Sequence, residues 1–289
     1  MILRLRDREL DLSGPVLMGI VNATPDSFSD RQGAKAPDEL AEGGLRLVEE
    51  GAAIVDVGGE SGRTDTEAVP VEEEIGRVVP VVERLAARGL LVSVDTWRGP
   101  VARAALDAGA AMINDVSGLS DEAVAAACAD TGAALVITHT RVPPKTKAFP
   151  HYDDVVRSVC AFLDERMAAA RSAGVGEDQI VLDPGIDIAK TPAESVEVLR
   201  RLRELGRLGR PLLLAVSRKD FVGALTERPP AGRDPGTLAA VGAAVEGGAS
   251  IIRVHDVAGA RDYLRVHHAL ADGATEGLEL APELRREAL

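Results

Sequence analysis

Short apolar runs alternate with amphipathic stretches along almost the whole chain. Eight of these runs have the length of a β-strand and lack a regular polar alternation, which is typical of parallel strands buried on both faces. They cover residues 16–21, 54–57, 90–94, 111–113, 134–138, 180–182, 212–216 and 251–254. The pattern therefore predicts eight parallel strands.

Helical patterns lie between these runs. Apolar side chains recur on one face of residues 72–87, and similar faces occur in 154–173 and 193–205. A capping box with proline at the first helical position, Thr191 to Glu194, precedes the last of these. Strands that alternate with helices predict an α/β fold of the (β/α)8 TIM-barrel class, with an open doubly wound sheet as the alternative.

The 289 residues contain no low-complexity tract or Pro/Ser/Gly-rich linker, and their number fits one barrel. We therefore expect a single domain over 1–289, with a short lead-in at 1–14 that forms a lid hairpin and a charged tail at about 273–289. Aromatic residues make up only 2%, so Ala, Val, Leu and Ile must fill the core.

The formal net charge of -13 argues against nucleic acid as a partner and requires a local basic site for any anionic substrate. No apolar run is long enough for a membrane span or a signal peptide, so we expect a cytoplasmic protein without a membrane partner. Cys128 and Cys160 lie in apolar helical stretches and match no metal-ligand spacing, which is typical of buried free thiols.

Polar residues follow nearly every predicted strand at its C-terminal end. A single Asp in such a position is explained equally well as a helix cap. Helix capping does not explain a polar contribution from all eight strands. In a barrel these strand ends meet on one face and form the active site. The residues are Asn22, Asp56, Glu60, Asp95, Asn114, Asp115, His139, Asp183, Ser217, Arg218, Lys219, Arg253, His255 and Asp256.

The residue types in this ring suggest a heterocyclic, phosphorylated substrate. Asp95, Asn114 and Asp183 can accept and donate the bonds of a flat ring with amide and amino edges. Arg253 can stack its guanidinium on such a ring, and Lys219 can bond a ring carbonyl or nitrogen.

The anionic part of such a substrate has its own candidate partners. His255 and Arg63 can serve a phosphate. Asn22 can hold a hard cation such as Mg²⁺ in a sparse shell completed by water and phosphate.

Seven motifs, in order, resemble those of the dihydropteroate synthase family. The longest is Met-Gly-Ile-Val-Asn-Ala-Thr-Pro-Asp-Ser-Phe-Ser-Asp at 18–30, which is specific, whereas the others would mean little alone. The resemblance spans about residues 18 to 256. The shorter motifs lie at 56–61, 93–96, 113–115, 183–185, 217–219 and 253–256.

The resemblance implies a TIM barrel that condenses 6-hydroxymethyl-7,8-dihydropterin pyrophosphate with p-aminobenzoate. It implies Mg²⁺ as cofactor, a homodimer, and a dissociative displacement without a nucleophilic side chain. By position, Asn22 matches the Mg²⁺ ligand, and His255 matches a pyrophosphate contact. Asp26 and Arg63 match mobile-loop residues. The pterin-binding set matches Asp95, Asn114, Asp183 and Lys219 with the stacking Arg253, and the catalytic candidates are Lys219, Arg253, Asp95 and Arg63.

The chain departs from the family pattern mainly on the side of the second substrate. Gly62, Ile188 and Asp220 stand where the family usually has Thr, Phe and Ser, and His139 lies between threonines instead of methionines. A carboxylate at 220 would repel that of p-aminobenzoate. Drift within a working synthase is one hypothesis, and a paralogue with another acceptor or no synthase activity is the other. A cobalamin-dependent methyltransferase on the same barrel is a third, weakened by the pyrophosphate motif.

Overall fold

The computed structural model describes residues 1–24, 36–62, 64, 66–273 and 278–280. Two short strands come first, β1 (Ile2–Leu5) and β2 (Arg8–Asp11). Eight further strands follow, each separated from the next by helix: β3 (Val16–Asn22), β4 (Ala52–Gly58), β5 (Val92–Asp95), β6 (Met112–Asp115), β7 (Ala134–Thr138), β8 (Ile180–Asp183), β9 (Leu213–Ala215) and β10 (Ile251–Val254).

The eight later strands form one parallel sheet in the order β8-β7-β6-β5-β4-β3-β10-β9. A parallel bridge between Leu182 and Leu212 joins the two ends of this order and closes the sheet into a barrel. The predicted (β/α)8 TIM barrel is confirmed, and the open-sheet alternative is wrong.

The α-helices of the described residues surround this barrel. They are α1 (Pro37–Glu49), α2 (Val71–Ala87), α3 (Gly99–Asp107), α4 (Glu122–Thr131), α5 (Val155–Ser172), α6 (Pro192–Arg200), α7 (Asp220–Thr226), α8 (Asp234–Glu246) and α9 (Val257–Asp272). Short 3-10 segments lie at Glu177–Gln179, Leu202–Leu208 and Pro230–Gly232. No helix in these ranges has the length and apolar character that a bilayer crossing requires.

The predicted helix at 193–205 is only partly correct. Its capping box is present, because the Thr191 side chain accepts from the Glu194 N–H and the Glu194 carboxylate accepts from the Thr191 N–H. The α-helix ends at Arg200, however, where Arg201 leaves helical geometry at φ -108° and ψ 19°, and the apolar Leu202 and Leu205 continue in the 3-10 segment. The apolar spacing extends across both segments and therefore does not reveal the break.

The described residues form a core of two layers with little aromatic contribution. The larger layer lies between the strands and the helices. The smaller layer fills the base of the barrel, where Leu3 and Leu5 from β1 pack with residues such as Met18, Ile54 and Met112. Both leucines are fully buried, and each contributes about 1.5–3 kcal/mol of hydrophobic stabilisation.

The hairpin of β1 and β2 closes the N-terminal end of the barrel. The backbone N–H of Arg6 donates to the carbonyl of Gly132, at the C-terminal end of α4, and its guanidinium donates to the carbonyl of Leu106 near the end of α3. The expected hairpin is present, with β1 and β2 paired antiparallel. It covers the barrel end opposite the strand termini that carry the polar ring.

Candidate active site

The carboxyl ends of four strands place a hydrogen-bonded polar cluster at the barrel mouth. Arg253 on β10 donates from Nε to Asp56 Oδ2 at 2.7 Å and from Nη2 to Asp95 Oδ2 at 3.1 Å. Asn114 on β6 donates from Nδ2 to the same Asp56 oxygen at 3.2 Å. One guanidinium thus fixes two carboxylates whose strands are neighbours in the sheet.

Two oxygens of this cluster have unused bonding capacity. Asp56 Oδ1 and Asn114 Oδ1 are buried and have no hydrogen-bond partner in the structure as described. Buried polar atoms are rarely left unpaired in folded proteins. A bound molecule with N–H donors would satisfy both oxygens. This is the functional role we expected for Asn114, whereas Asp56 was noted only as a strand end.

Burial raises the pKa of the Asp95 carboxyl group to about 7, with Arg253 opposing the rise and Asp56 adding to it. Asp183, at the end of β8, is also buried, which raises its pKa. The N–H of Gly185, which donates to Asp183 Oδ1 at 2.7 Å, and the nearby charge of Lys219 act in the opposite direction. Perturbed carboxyl groups of this kind cluster at functional sites.

Lys219 lies at the turn that leads from β9 into α7. The preceding Arg218 has φ +58°, a conformation that costs on the order of 1–3 kcal/mol in a non-glycine residue. Arg233 stabilises this turn, since its Nη1 donates to the carbonyls of Arg218 and Lys219 at 2.9 and 3.1 Å. Arg218 itself forms a two-bond ion pair with Asp234. Neither Arg233 nor Asp234 follows a strand, so the strand-end pattern does not indicate either residue.

Asn22 and His255 line a second cavity of about 560 Å³, together with Arg218. This cavity extends from the barrel mouth along α1. The backbone N–H of His255 donates to Ser217 Oγ at 3.3 Å, and the same hydroxyl oxygen lies 2.9 Å from the ring nitrogen Nδ1 of His255. His255 is exposed as a residue, yet partial desolvation by the surrounding protein, followed by the positive charges of Arg253 and Arg218, lowers its pKa to about 4. With Nδ1 accepting from Ser217, the neutral ring presents Nε2–H as a donor.

Ile188 and Asp220 line a cavity of about 590 Å³ that also reaches Asp95 and Gly62. The Asp220 carboxylate is 77% exposed and pairs with Arg233 at 3.0 Å. This ion pair offsets the repulsion that we expected between Asp220 and an acidic second substrate.

The sequence-predicted residues fall into two neighbouring groups around the mouth. The polar cluster and the larger cavity contain Asp95, Asn114, Arg253, Ile188 and Asp220. Asp183 and Lys219 lie beside them, close enough for charge interactions with Arg253 and Asp95 respectively. Asn22 and His255 lie in the second cavity. Asp26 and Arg63 lie outside the described residues.

A buried charge network beside the larger cavity was not anticipated. Arg98 bridges Glu60 at 2.8 Å and Glu74 at 2.5 Å, and both carboxylates are almost fully buried. Glu60 was identified as a polar residue after β4, but its partners are distant in sequence. The network fixes the residues that follow β4 next to the cavity wall.

Comparisons with known proteins agree with this architecture. The chain matches the family described as pterin binding enzyme over residues 18–255. It is 42% identical over 266 residues to the dihydropteroate synthase of Mycobacterium leprae. The alignment covers 89% of this chain and 94% of that protein.

Solved structures show the same likeness. Dihydropteroate synthase of Xanthomonas albilineans with 4-aminobenzoic acid superposes with a TM-score of 0.87 at 45% identity, covering 94% of this chain and 99% of that one. The Xanthomonas enzyme in complex with 7,8-dihydropteroate gives a TM-score of 0.85 at 44% identity, with the same coverage. The chain therefore belongs to the dihydropteroate synthase family of pterin binding enzymes.

Proposed function

We propose that this barrel condenses 6-hydroxymethyl-7,8-dihydropterin pyrophosphate with p-aminobenzoate to give 7,8-dihydropteroate and pyrophosphate. The observation that carries the proposal is the cluster of Asp56, Asp95, Asn114 and Arg253, with its two unsatisfied buried oxygens. The N–H groups of a pterin ring are donors of the kind that these oxygens lack. Relatives over 40% identical are dihydropteroate synthases.

The reaction needs stabilisation of a leaving anion more than a nucleophilic side chain. The C–O bond to pyrophosphate breaks with its electron pair, the arylamine nitrogen forms the new C–N bond, and the amine proton leaves to solvent. In this scheme Asp95, Asn114 and Asp183 hold the pterin. Lys219 and Arg253 supply positive charge beside it, and preorganised charge of this kind stabilises a developing anion.

Asn22 and His255 would bind the pyrophosphate end in the second cavity. Asn22 offers a hard amide oxygen, and no group of three or more His, Cys, Asp or Glu residues in the described ranges could hold a metal ion. This donor set fits Mg²⁺ that takes most of its ligands from phosphate and water. When bound, Mg²⁺ would neutralise charge on the departing pyrophosphate. His255, neutral at pH 7, would donate through Nε2–H.

The larger cavity would take p-aminobenzoate, with Ile188 against the ring. The family resemblance assigns substrate contacts to Asp26 and Arg63 as well, and both lie outside the described residues. The hypothesis of a paralogue with another acceptor is not favoured, because Asp220 is paired with Arg233. A relative 45% identical also binds 4-aminobenzoic acid. We further propose that 1–289 is one domain and that the protein is a homodimer. The two buried free cysteines are compatible with a cytoplasmic location.

The decisive experiment measures pyrophosphate release from the dihydropterin pyrophosphate with Mg²⁺, with and without p-aminobenzoate. We expect p-aminobenzoate to stimulate release and dihydropteroate to form in equal amount. Pterin binding without any response to p-aminobenzoate would contradict the assignment of the second substrate. Omission of Mg²⁺ tests the cofactor, and Asn22→Ala should raise the Mg²⁺ concentration needed for half-maximal rate.

A further inference from the structure

Lys190 has its ammonium group buried beneath the loop that joins β8 to α6. The residue is 1% exposed, and Nζ lies 2.7 Å from His139 Nδ1, 2.9 Å from the Gly185 carbonyl oxygen and 3.1 Å from that of Ile188. An ammonium group has three donors and no acceptor. Its three N–H groups therefore match three acceptors.

His139 forms the other half of this buried contact. Its side chain is fully buried, its ring meets Phe162 edge-on at 5.0 Å between centroids, and its backbone N–H donates to the Asp183 carbonyl at 2.8 Å. Burial and the charge of Lys190 lower the pKa of His139, so the ring is neutral. Nδ1 accepts from Lys190, and the ring proton therefore lies on Nε2.

The loop above this pair has an unusual backbone. Asp187 and Ala189 have φ of +62° and +52°, and each such conformation costs on the order of 1–3 kcal/mol in a non-glycine residue. At Gly185, a Cβ atom would lie only 2.1 Å from the His139 carbonyl oxygen. Such a conformation persists only where surrounding contacts hold it, and Lys190 supplies two of them, through the carbonyls of Gly185 and Ile188.

The same loop carries two parts of the site. The N–H of Gly185 fixes the Asp183 carboxylate at 2.7 Å, while the carbonyl of Gly185 accepts from Lys190. The side chain of Ile188 lines the larger cavity, and its carbonyl also accepts from Lys190. Loss of the ammonium group would remove its hydrogen bonds to the carbonyls of Gly185 and Ile188 at the same time.

We propose that Lys190 is a positioning residue of the pterin site, acting through His139, Gly185 and Ile188 to hold the Asp183 carboxylate in its binding orientation. Lys190 need not touch the substrate for this role. The proposal rests on the function proposed above, since it requires that Asp183 binds a pterin.

The test uses the full chain, 6-hydroxymethyl-7,8-dihydropterin as the probe and titration calorimetry. Lys190→Met keeps the length of the side chain without its charge, and we expect a Kd at least tenfold higher than in the unmodified protein. His139→Leu should act in the same direction. His139→Asn, which places an amide oxygen near the position of Nδ1, should stay within about threefold. Arg200→Met, on the exposed surface of α6, is the matched control for loss of a cation.

The pH dependence distinguishes positioning by the charge from simple packing. Burial lowers the pKa of Lys190 to about 7, and the charged or titratable groups around it are Asp183, Glu194, Lys219, Asp187 and His139. As pH rises above 7, the unmodified protein should lose pterin affinity because the ammonium group loses its proton. Lys190→Met should lack this alkaline loss, whereas a packing role would give parallel pH profiles.

The outcomes separate the two proposals. If the unmodified protein does not bind the pterin, the proposed function fails. If it binds and a folded Lys190→Met variant binds equally well, the positioning role alone is overturned. If Lys190→Met does not fold, the comparison of His139→Leu with His139→Asn decides, and equal Kd values for these two would overturn the role. In steady-state kinetics of the Lys190→Met variant, we expect kcat to change by a smaller factor than the KM for the pterin substrate.

Discussion

Pterin binding should weaken in mild acid, because the Asp95 carboxyl group accepts N–H groups from the ring at both oxygens only when it is ionised. The pKa of this carboxyl is raised to about 7, so the ionised fraction falls from about one half at pH 7 to about 3% at pH 5.5. An apparent affinity scales with the binding-competent fraction, so Asp95 alone should raise Kd roughly fifteenfold. Lys190 gains its proton over the same interval and restores at most about twofold. The net expectation is a Kd roughly eightfold higher at pH 5.5.

Calorimetry with 6-hydroxymethyl-7,8-dihydropterin checks this value, since the probe lacks the phosphate groups that titrate near pH 6. The pH stays above the sequence pI of about 4.9, where the protein would lose its net charge. His255 does not interfere, because its pKa of about 4 keeps it neutral throughout.

Two variants test the cause of the pH dependence. Asp56 raises the pKa of Asp95, so Asp56→Asn should move the acid loss of affinity to lower pH. The Asp95→Asn variant should bind the pterin weakly at pH 7 and at pH 5.5, and it should lack the loss of affinity that protonation of Asp95 causes between them. Equal Kd values at pH 7 and 5.5 in the unmodified protein would refute the reasoning. An upward shift in Asp56→Asn would refute the assigned role of Asp56.

Three further substitutions test separate parts of the site. Asp183→Ala should abolish measurable pterin binding in calorimetry, and unchanged affinity would remove it from the site. Arg253→Met should cost about 3 kcal/mol in urea unfolding, because it leaves the buried Asp56 unpaired; a change below about 1 kcal/mol would contradict the ion pair. Asp220→Ser should lower the KM for p-aminobenzoate by no more than about threefold, because Arg233 already offsets the Asp220 charge at this exposed position. Steady-state kinetics measures this KM, and a tenfold fall in it would show that the ion pair between Asp220 and Arg233 is absent in solution.

The barrel and most of its site residues could be predicted because both depend on order along the chain. Each buried strand appears as an apolar run, and the polar residue that follows it, such as Asp95 or Asp183, must face the barrel mouth. The predicted ring included Asp56 for the same reason.

The contacts among these residues could not be predicted. Arg253 and Asp56 are 197 residues apart, and nothing local distinguishes this pair from Arg253 stacking on a ring. Lys190 lies in a loop and His139 at a strand end, and only closure of the barrel places them together. The end of the barrel that the hairpin covers could not be predicted either, because the alternating leucines of β1 indicate burial but not which end of the barrel they bury.

The hairpin has a consequence for protein synthesis. Arg4 pairs with Asp178 at 2.9 Å, and these residues are separated by 174 positions. At typical translation rates, roughly 10 to 35 s pass between the emergence of the first partner and the second. Throughout that interval the leucines of β1 lack their final binding surface, and the growing chain exposes apolar residues that chaperones recognise. An N-terminal fusion that hinders the return of these residues would therefore lower the yield of native protein without changing any residue of the catalytic face.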